Sequence, residues 1–237
     1  MKKLLTICFI LIHTWSLASN NDQAPWYIVQ ISDPQLGFIE KNKSIEQETI
    51  LLKKAIQKIN SLQPEILVIT GDFVNSSHNI EQIKKFKELC HLISHEILLY
   101  KVPGNHDIGN SCNKENVDFY NAQYGEDHFS ILHKGVQLIG INSCLIKDDA
   151  PQQKHQLQWL HKELKQKCKI EQRIIFGHHP FFLSNISEKE SYSNMPIKIR
   201  TIYNALFLKY HVSHYFAGHL HNLSLIHISE PTRRRGI

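Results

Sequence analysis

The sequence has no two cysteines in a C-x-x-C arrangement, although it contains five cysteines. Cys8 lies in an N-terminal apolar segment, which leaves Cys90, Cys112, Cys144 and Cys168 in the rest of the chain. Four cysteines allow three disulfide connectivities, and the spacing does not select one. Buried free thiols explain the same residues equally well. The cysteines therefore identify neither a disulfide framework nor a redox motif.

A large charge of one sign is also lacking. The formal net charge is +5, but Lys2 and Lys3 contribute two of these charges. The tail from Leu223 onward, with three arginines and one glutamate, contributes two more, which leaves the body of the chain near +1. The charge balance therefore indicates no nucleic-acid partner.

The N-terminal apolar run is too short to span a membrane. It reads "LLTICFILIHTW", follows Met1-Lys2-Lys3 and precedes Ser16-Leu17-Ala18. A charged start, an apolar core and a small-residue cleavage site are typical of a signal peptide, and a membrane anchor needs a longer run. We expect residues 1–18 to be a signal peptide and the protein to be secreted or periplasmic, without a stable membrane anchor.

No repeat, low-complexity segment or linker divides residues 20–222, so we expect one catalytic domain over 19–222. Apolar, β-rich runs alternate with helical periodicity along this region. The pattern predicts strands within 26–31, 65–70, 97–102, 129–142 (a hairpin-like pair), 173–177 and 214–218, and helices at about 44–60, 79–93, 152–167 and 198–210. This alternation is typical of a layered α/β fold.

Polar residues follow five predicted strands directly: Asp33, Asp72, Asn105, His178 and His219. Each has an ordinary explanation on its own, such as a turn, a helix N-cap or a buried structural histidine. Because ligands bind at the carboxyl ends of strands in α/β sheets, we expect all five to converge. That convergence favours a functional site over five separate structural roles.

The ordered motifs D-x-Q, GD, GNHD, GHH and GHLH span residues 33–221. Together they resemble the calcineurin-like metallophosphoesterases. The resemblance implies a four-layer αββα sandwich, with further strands after the last motif that are missing here. The start "QISDPQLGF", with Gln where most relatives have His, is most similar to a D-P-Q branch that includes a Ser/Thr protein phosphatase.

The resemblance implies two divalent metal ions, with Mn, Fe, Zn and Co as the candidates. The first ion would be held by Asp33, Gln35, Asp72 and His221. The second would be held by Asp72, Asn105, His178 and His219, which makes Asp72 the bridging ligand. A neutral amide at Gln35 replaces the usual imidazole, so the first ion is expected to bind more weakly or to be absent from isolated protein.

The same resemblance assigns His178, rather than His179, as the ligand in GHH. His106 would be no ligand but a proton donor to the leaving group, or a group that stabilises it, and Asp107 would hold its ring. Two metals neutralise phosphoryl oxygens and lower the pKa of bound water, which produces hydroxide for in-line attack at phosphorus. The expected function is hydrolysis of phosphate monoesters, in small molecules or in Ser/Thr phosphoproteins.

Two other functions stay open at this point. One is a cyclic-nucleotide or other phosphodiesterase, and the second is a binding protein on a scaffold with impaired metal loading. The tail "LSLIHISEPTRRRGI" (223–237) matches the translation of a sequencing-library adapter, and we favour this interpretation over a disordered basic C-terminus. We therefore expect it not to be native sequence, and His227 is not a candidate ligand.

Overall fold

The computed structural model describes residues 25–109, 111–166 and 169–221. The expected signal peptide, the expected adapter tail and Cys168 lie outside these ranges. Within them, Cys90, Cys112 and Cys144 are free thiols. No helix of the described segments combines the length and the apolar character needed to cross a bilayer.

The strands form two sheets in the described part of the chain. They are β1 (Ile28–Ile31), β2 (Ile66–Thr70), β3 (Leu98–Val102), β4 (Phe129–His133), β5 (Val136–Gly140), β6 (Gln172–Phe176) and β7 (Val212–Phe216). The first sheet has the order β1-β2-β3 and the second β4-β5-β6-β7. Neighbouring strands are parallel except in the β4–β5 hairpin. Every predicted strand is present.

Seven helices lie between these strands in the described segments. They are α1 (Glu46–Leu62), α2 (Ile80–Cys90), α3 (Asn105–Ile108), α4 (Lys114–Tyr124), α5 (Ser143–Lys147), α6 (Gln153–Leu164) and α7 (Ile197–Lys209). The four predicted helices are confirmed, whereas α3, α4 and α5 were not expected. The structure shows α4 capped by the Asn113 side chain, which accepts from the Asn116 N–H at 2.9 Å.

Alternation along the strands produces four layers. On β2, Ile66 and Val68 face the second sheet, whereas Leu67 and Ile69 pack against the helices on the outer face. The second sheet repeats the pattern, with Leu138 packed toward the first sheet and Ile139 toward its own helices. Because side chains alternate across a strand, each sheet has two apolar faces and needs a layer on both. The αββα prediction is confirmed.

One buried polar link joins the two sheets near their carboxyl ends. Gln30 on β1 is turned into the space between the sheets, where its Nε2 donates to Thr70 Oγ1 at 2.8 Å and to the Ala217 carbonyl at 3.3 Å. A buried amide must be hydrogen-bonded to avoid a desolvation cost, so this link favours one relative placement of β1, β2 and the segment after β7. Those three elements carry much of the candidate site.

Candidate metal centre

The structure brings the polar residues after five strands to one edge of the sandwich. The ligand atoms of Asp33, Asp72 and His178 all lie within 4.8 Å of one another. They come from the ends of β1, β2 and β6, in two different sheets. The expected convergence at the carboxyl ends of the strands is therefore present.

His178 is oriented by a backbone carbonyl. Its Nδ1 is 2.9 Å from the Thr70 carbonyl, which can only accept, so Nδ1 carries a proton. Nε2 then points at three acceptor-bearing groups: Asn105 Oδ1 at 3.1 Å, His219 Nδ1 at 3.2 Å and Asp72 Oδ2 at 3.4 Å. The lone pairs of these groups are directed at one point, and a cation bound there would stabilise the arrangement.

The electrostatics of His178 point the same way. Burial by itself lowers its pKa, but the carboxylates of Asp72 and Asp33 outweigh that effect and raise the pKa of His178 to about 9. Burial and the neighbouring His178 lower the pKa of His219 to about 4. The carboxylates therefore favour a positive charge at this point, and a bound metal ion would supply that charge in place of the His178 proton.

Asp33 and His221 form a second group beside the first. Both carboxylate oxygens of Asp33 accept from the His219 N–H at 3.1 Å, and His221 Nε2 lies 3.5 Å from Asp33 Oδ1. The hydrogen bond between the side chains of His221 and Asp33 raises the pKa of His221, whereas burial lowers it. Asp33 and His221 thus lie together, as the expected first ion requires, and Asp33 lies within 4.8 Å of Asp72.

Two buried polar atoms in the centre have no hydrogen-bond partner among the described residues. One is Gln35 Oε1, on a side chain that is 1% exposed, and the second is His219 Nε2. Buried polar groups without partners cost free energy and call for an explanation. Both belong to predicted ligands, and the Gln35 oxygen carries lone pairs that no donor uses, so the residues present fit divalent metal ions.

The backbone of the centre is strained at the predicted ligands. Five of the seven have a positive φ: Asp33, Gln35, Asp72, His219 and His221. A non-glycine residue in this region costs about 1–3 kcal/mol and persists where the surroundings determine it. The strain is concentrated where side chains must converge, which supports a functional rather than a structural origin.

Two glycines allow the strands to approach so closely. Gly71 has φ +83°, and a Cβ there would lie 2.6 Å from His178 Nδ1. A Cβ on Gly104 would lie 2.2 Å from Asp72 Oδ1. Both contacts are shorter than real Cβ atoms tolerate, so the Gly residues in the GD and GNHD motifs are steric requirements of the centre.

Gly104→Ala is expected to weaken metal binding by about 10- to 100-fold, because the new methyl group displaces the Asp72 carboxylate. Titration of the metal-free protein with Mn²⁺ measures the change. Gly125→Ala is the control, since nothing lies within 4 Å of its Cβ position; its positive φ adds a backbone strain that Gly104, at φ −105°, does not have. Unchanged affinity in Gly104→Ala would show that Asp72 does not bind the metal in the orientation seen here.

His106 lies beside Asp72 and outside the ligand set. Its backbone N–H donates to Asp72 Oδ1 at 2.9 Å, and its Nδ1 is 2.8 Å from the Asn75 carbonyl. The carbonyl can only accept, so Nδ1 carries a proton and Nε2 is left for other contacts. The residue also lines a cleft of about 760 Å³ next to the metal centre.

The expected role of Asp107 is wrong. Its carboxylate accepts from the backbone N–H groups of Phe73 at 2.8 Å, Val74 at 3.3 Å and Gly104 at 2.8 Å, and the side chain is fully buried. The ring of His106 is held by Asn75 instead. Burial and the charge of Asp72 raise the pKa of Asp107, and the Gly104 and Phe73 N–H groups oppose that rise. Asp107 joins the loops after β2 and β3.

Asp107→Ala is expected to lower the free energy of unfolding by about 2–4 kcal/mol, because three buried N–H groups lose their acceptor. Urea unfolding measures the loss. Asp118→Ala on α4 is the control, since Asp118 is exposed and pairs only with Lys114. An Asp107→Ala variant that kept its stability but lost turnover would support the original expectation that Asp107 holds the His106 ring.

Two neighbours of the centre, Ser143 and Tyr192, were missed from the sequence, and His179 was set aside there as a ligand. Ser143 Oγ accepts from the N–H groups of His178 at 3.0 Å and His179 at 2.9 Å, and contacts His179 Nδ1 at 3.1 Å. Ser143 follows β5 closely, so the strand-end rule could have found it. His179 lies with His178 and His219 in a three-imidazole cluster. Tyr192 packs its ring 4.6 Å from that of His219, and no local signal predicts this contact.

Comparison with known proteins agrees with this geometry. Residues 27–223 match the family model described as calcineurin-like phosphoesterase. Serine/threonine-protein phosphatase CPPED1 of Danio rerio is 31% identical over 218 residues, which cover 83% of this chain and 70% of that protein. The Homo sapiens protein of the same name is 30% identical over 220 residues, which cover 84% of this chain and 70% of that protein. The predicted resemblance and its D-P-Q branch are confirmed.

A solved structure supports the fold. A dimetal phosphatase from Danio rerio aligns with a TM-score of 0.62, covering 82% of this chain and 81% of that one. The sequence identity is 13%, so this likeness shows the arrangement of strands and helices only.

Proposed function

From the premise that this chain belongs to the calcineurin-like phosphoesterase family, we propose that its substrates are phosphate monoesters on serine and threonine residues of proteins. The family makes the chain a hydrolase that acts on phosphoric ester bonds with divalent metal ions. The observation that carries the narrower proposal is the identity of about 30%, over most of the chain, to proteins named serine/threonine phosphatases.

The proposed metal ions are borderline divalent ions from the group Mn, Fe, Co and Zn. The donor set mixes carboxylates, amide oxygens and imidazoles, which suits ions of this kind. Asp33, Gln35, Asp72 and His221 would hold one ion, and Asp72, Asn105, His178 and His219 the second. When bound, the ions supply positive charge for the phosphoryl oxygens and make water more acidic.

His106 is the proposed proton donor to the leaving group. The Nδ1–H group donates to the Asn75 carbonyl, so Nε2 is the atom that transfers a proton to the departing serine or threonine oxygen. Because its backbone N–H is bonded to Asp72, the ring keeps its position relative to the bridging carboxylate.

The test compares substrates across metals. Protein stripped of metal is reloaded separately with Mn, Fe, Co, Zn or Mg and assayed with p-nitrophenyl phosphate, its bis-ester and a phosphoserine peptide. We expect metal-dependent phosphate release from the two monoesters. Faster cleavage of the bis-ester would favour a phosphodiesterase, and no hydrolysis with any metal would favour a binding protein on this scaffold.

We also propose that the chain is exported, with residues 1–18 removed. The support is the order of charged, apolar and small residues at the N-terminus. Expression with this N-terminus in a secreting host, followed by N-terminal sequencing, is expected to give protein outside the cytoplasm that begins at Ser19. Retention of Met1 in membrane-bound protein would instead indicate an anchor.

A further inference from the structure

Tyr192 is an exposed aromatic residue placed directly against the metal centre. Its side chain is 70% exposed, so no core packing accounts for its position. The ring lies 4.6 Å from that of His219, and Tyr192 lines the same cleft as Asn105. Tyr192 therefore contacts one predicted ligand and shares a cleft with a second, although most of its surface is exposed to solvent.

The loop that carries Tyr192 is held by hydrogen bonds of its own polar groups and of Arg200 on α7. The Glu188 carboxylate accepts from the N–H groups of Leu183 at 2.8 Å and Ser184 at 2.9 Å, and from Asn194 Nδ2 at 2.6 Å. Arg200, which is fully buried on α7, donates to the Glu188 carbonyl at 3.0 Å. With so many internal hydrogen bonds, residues 183–195 hold Tyr192 in one place rather than presenting it on an unsupported tip.

Lys147 ties this loop to the metal centre. Its Nζ donates to the carbonyls of Ser191 and Asn194, on either side of Tyr192. Lys147 is the last residue of α5, and the first is Ser143, whose hydroxyl accepts from the His178 and His179 N–H groups. One short helix thus connects the segment that bears the metal ligands with the loop that bears Tyr192.

Tyr192 and Lys147 both line the 760 Å³ cleft that also contains His106. The same cleft is lined by residues 75–78 and Asn116, which offer hydroxyl, amide and imidazole groups. The volume falls in the range of sites that hold sizeable ligands, and a phosphoryl group alone does not fill it. Since His106 is the proposed leaving-group donor, the cleft lies on the side of the leaving group.

We propose that Tyr192 is a specificity-determining residue, whose ring binds the polypeptide that flanks the phosphorylated residue, and that Lys147 is the positioning residue that holds it there. This inference rests on the proposed phosphoprotein function. Tyrosine suits the task because it supplies a large, rigid contact surface at a low cost in conformational entropy. The polar groups across the cleft bind the main chain of the same segment.

The test compares one scissile bond in two settings. The substrates are free O-phosphoserine and a ten-residue phosphoserine peptide, assayed by release of inorganic phosphate. Tyr192→Ala is expected to raise the KM of the peptide about tenfold relative to the KM of O-phosphoserine, because only the peptide extends to the ring. Tyr192→Phe retains the ring and is expected to restore the KM of the peptide. Leu208→Ala, which shortens another exposed side chain, is the control.

Binding without turnover provides the second readout. A peptide with a non-hydrolysable phosphonate in place of phosphoserine is expected to bind Tyr192→Ala and Lys147→Met about tenfold more weakly than wild type, at equal metal content. Lys154→Met on α6 is the control for charge removal. Equal KM increases for both substrates, or unchanged affinity for the phosphonate, would overturn the inference. Wild-type protein that binds the phosphonate through Tyr192 but hydrolyses neither substrate would overturn the proposed function instead.

Discussion

Asp72→Asn is expected to lose both metal ions and to lower kcat/KM by roughly 10³-fold or more, because the ions supply several kcal/mol of charge stabilisation. Asp72 is 2% exposed and carries the oxygens that face His178 Nε2 and the His106 N–H. An amide keeps the size of this group but removes its negative charge, so it cannot bridge two cations. The neighbouring carboxylate of Asp33 can compensate only at one site.

Metal analysis of the purified variant, together with phosphate release, measures this effect. Asp118→Asn on α4 is the control, because Asp118 lies on the surface and pairs with Lys114. A variant that retained two ions per chain at wild-type affinity would show that Asp72 is not the bridging ligand. A variant that lost one ion only would assign Asp72 to a single site.

His106→Ala is expected to keep its metal ions and to lose turnover by roughly 10²–10⁴-fold with the phosphoserine peptide. The loss should be smaller with p-nitrophenyl phosphate, whose leaving group departs without a proton. The reason is geometric: the ring contacts the Asn75 carbonyl and lines the cleft, and only the backbone N–H of His106 contacts Asp72. Alanine retains that N–H and removes the ring.

Metal content and the ratio of the two substrate rates decide the role of His106. His155→Ala, on the exposed face of α6, is the control for removal of an imidazole. Depletion of metal equal to that of Asp72→Asn would make His106 a ligand. An equal loss of rate on both substrates would exclude proton donation to the leaving group.

Asp107 shows why neighbouring residues in a motif need not act together. The order Asn105-His106-Asp107 suggests a carboxylate that orients an imidazole. In the structure these residues begin the short helix α3, where successive side chains point in different directions. Asp107 turns inward to the Phe73, Val74 and Gly104 N–H groups, while His106 faces the cleft. Because helix α3 was not expected, the different directions of the His106 and Asp107 side chains were not expected either.

The sequence by itself determined the alternation of strands and helices and the polar residues after five of the strands. Those features depend on local periodicity and on the rule that strand ends converge, whereas the four-layer fold followed from the family resemblance. Five motifs in a known order were enough to identify the family. The two-residue spacing of Gln35 from Asp33, and of His221 from His219, also belongs to this local information.

Only the tertiary structure decided which atoms meet. The Thr70 carbonyl orients His178 across 108 residues of sequence, and Ser143 bonds to His178 and His179 from another strand end. The position of Tyr192 depends on Lys147, which lies in a different segment. Such contacts carry no signal in local periodicity, because the energy that selects them comes from burying polar groups with partners supplied by distant parts of the chain.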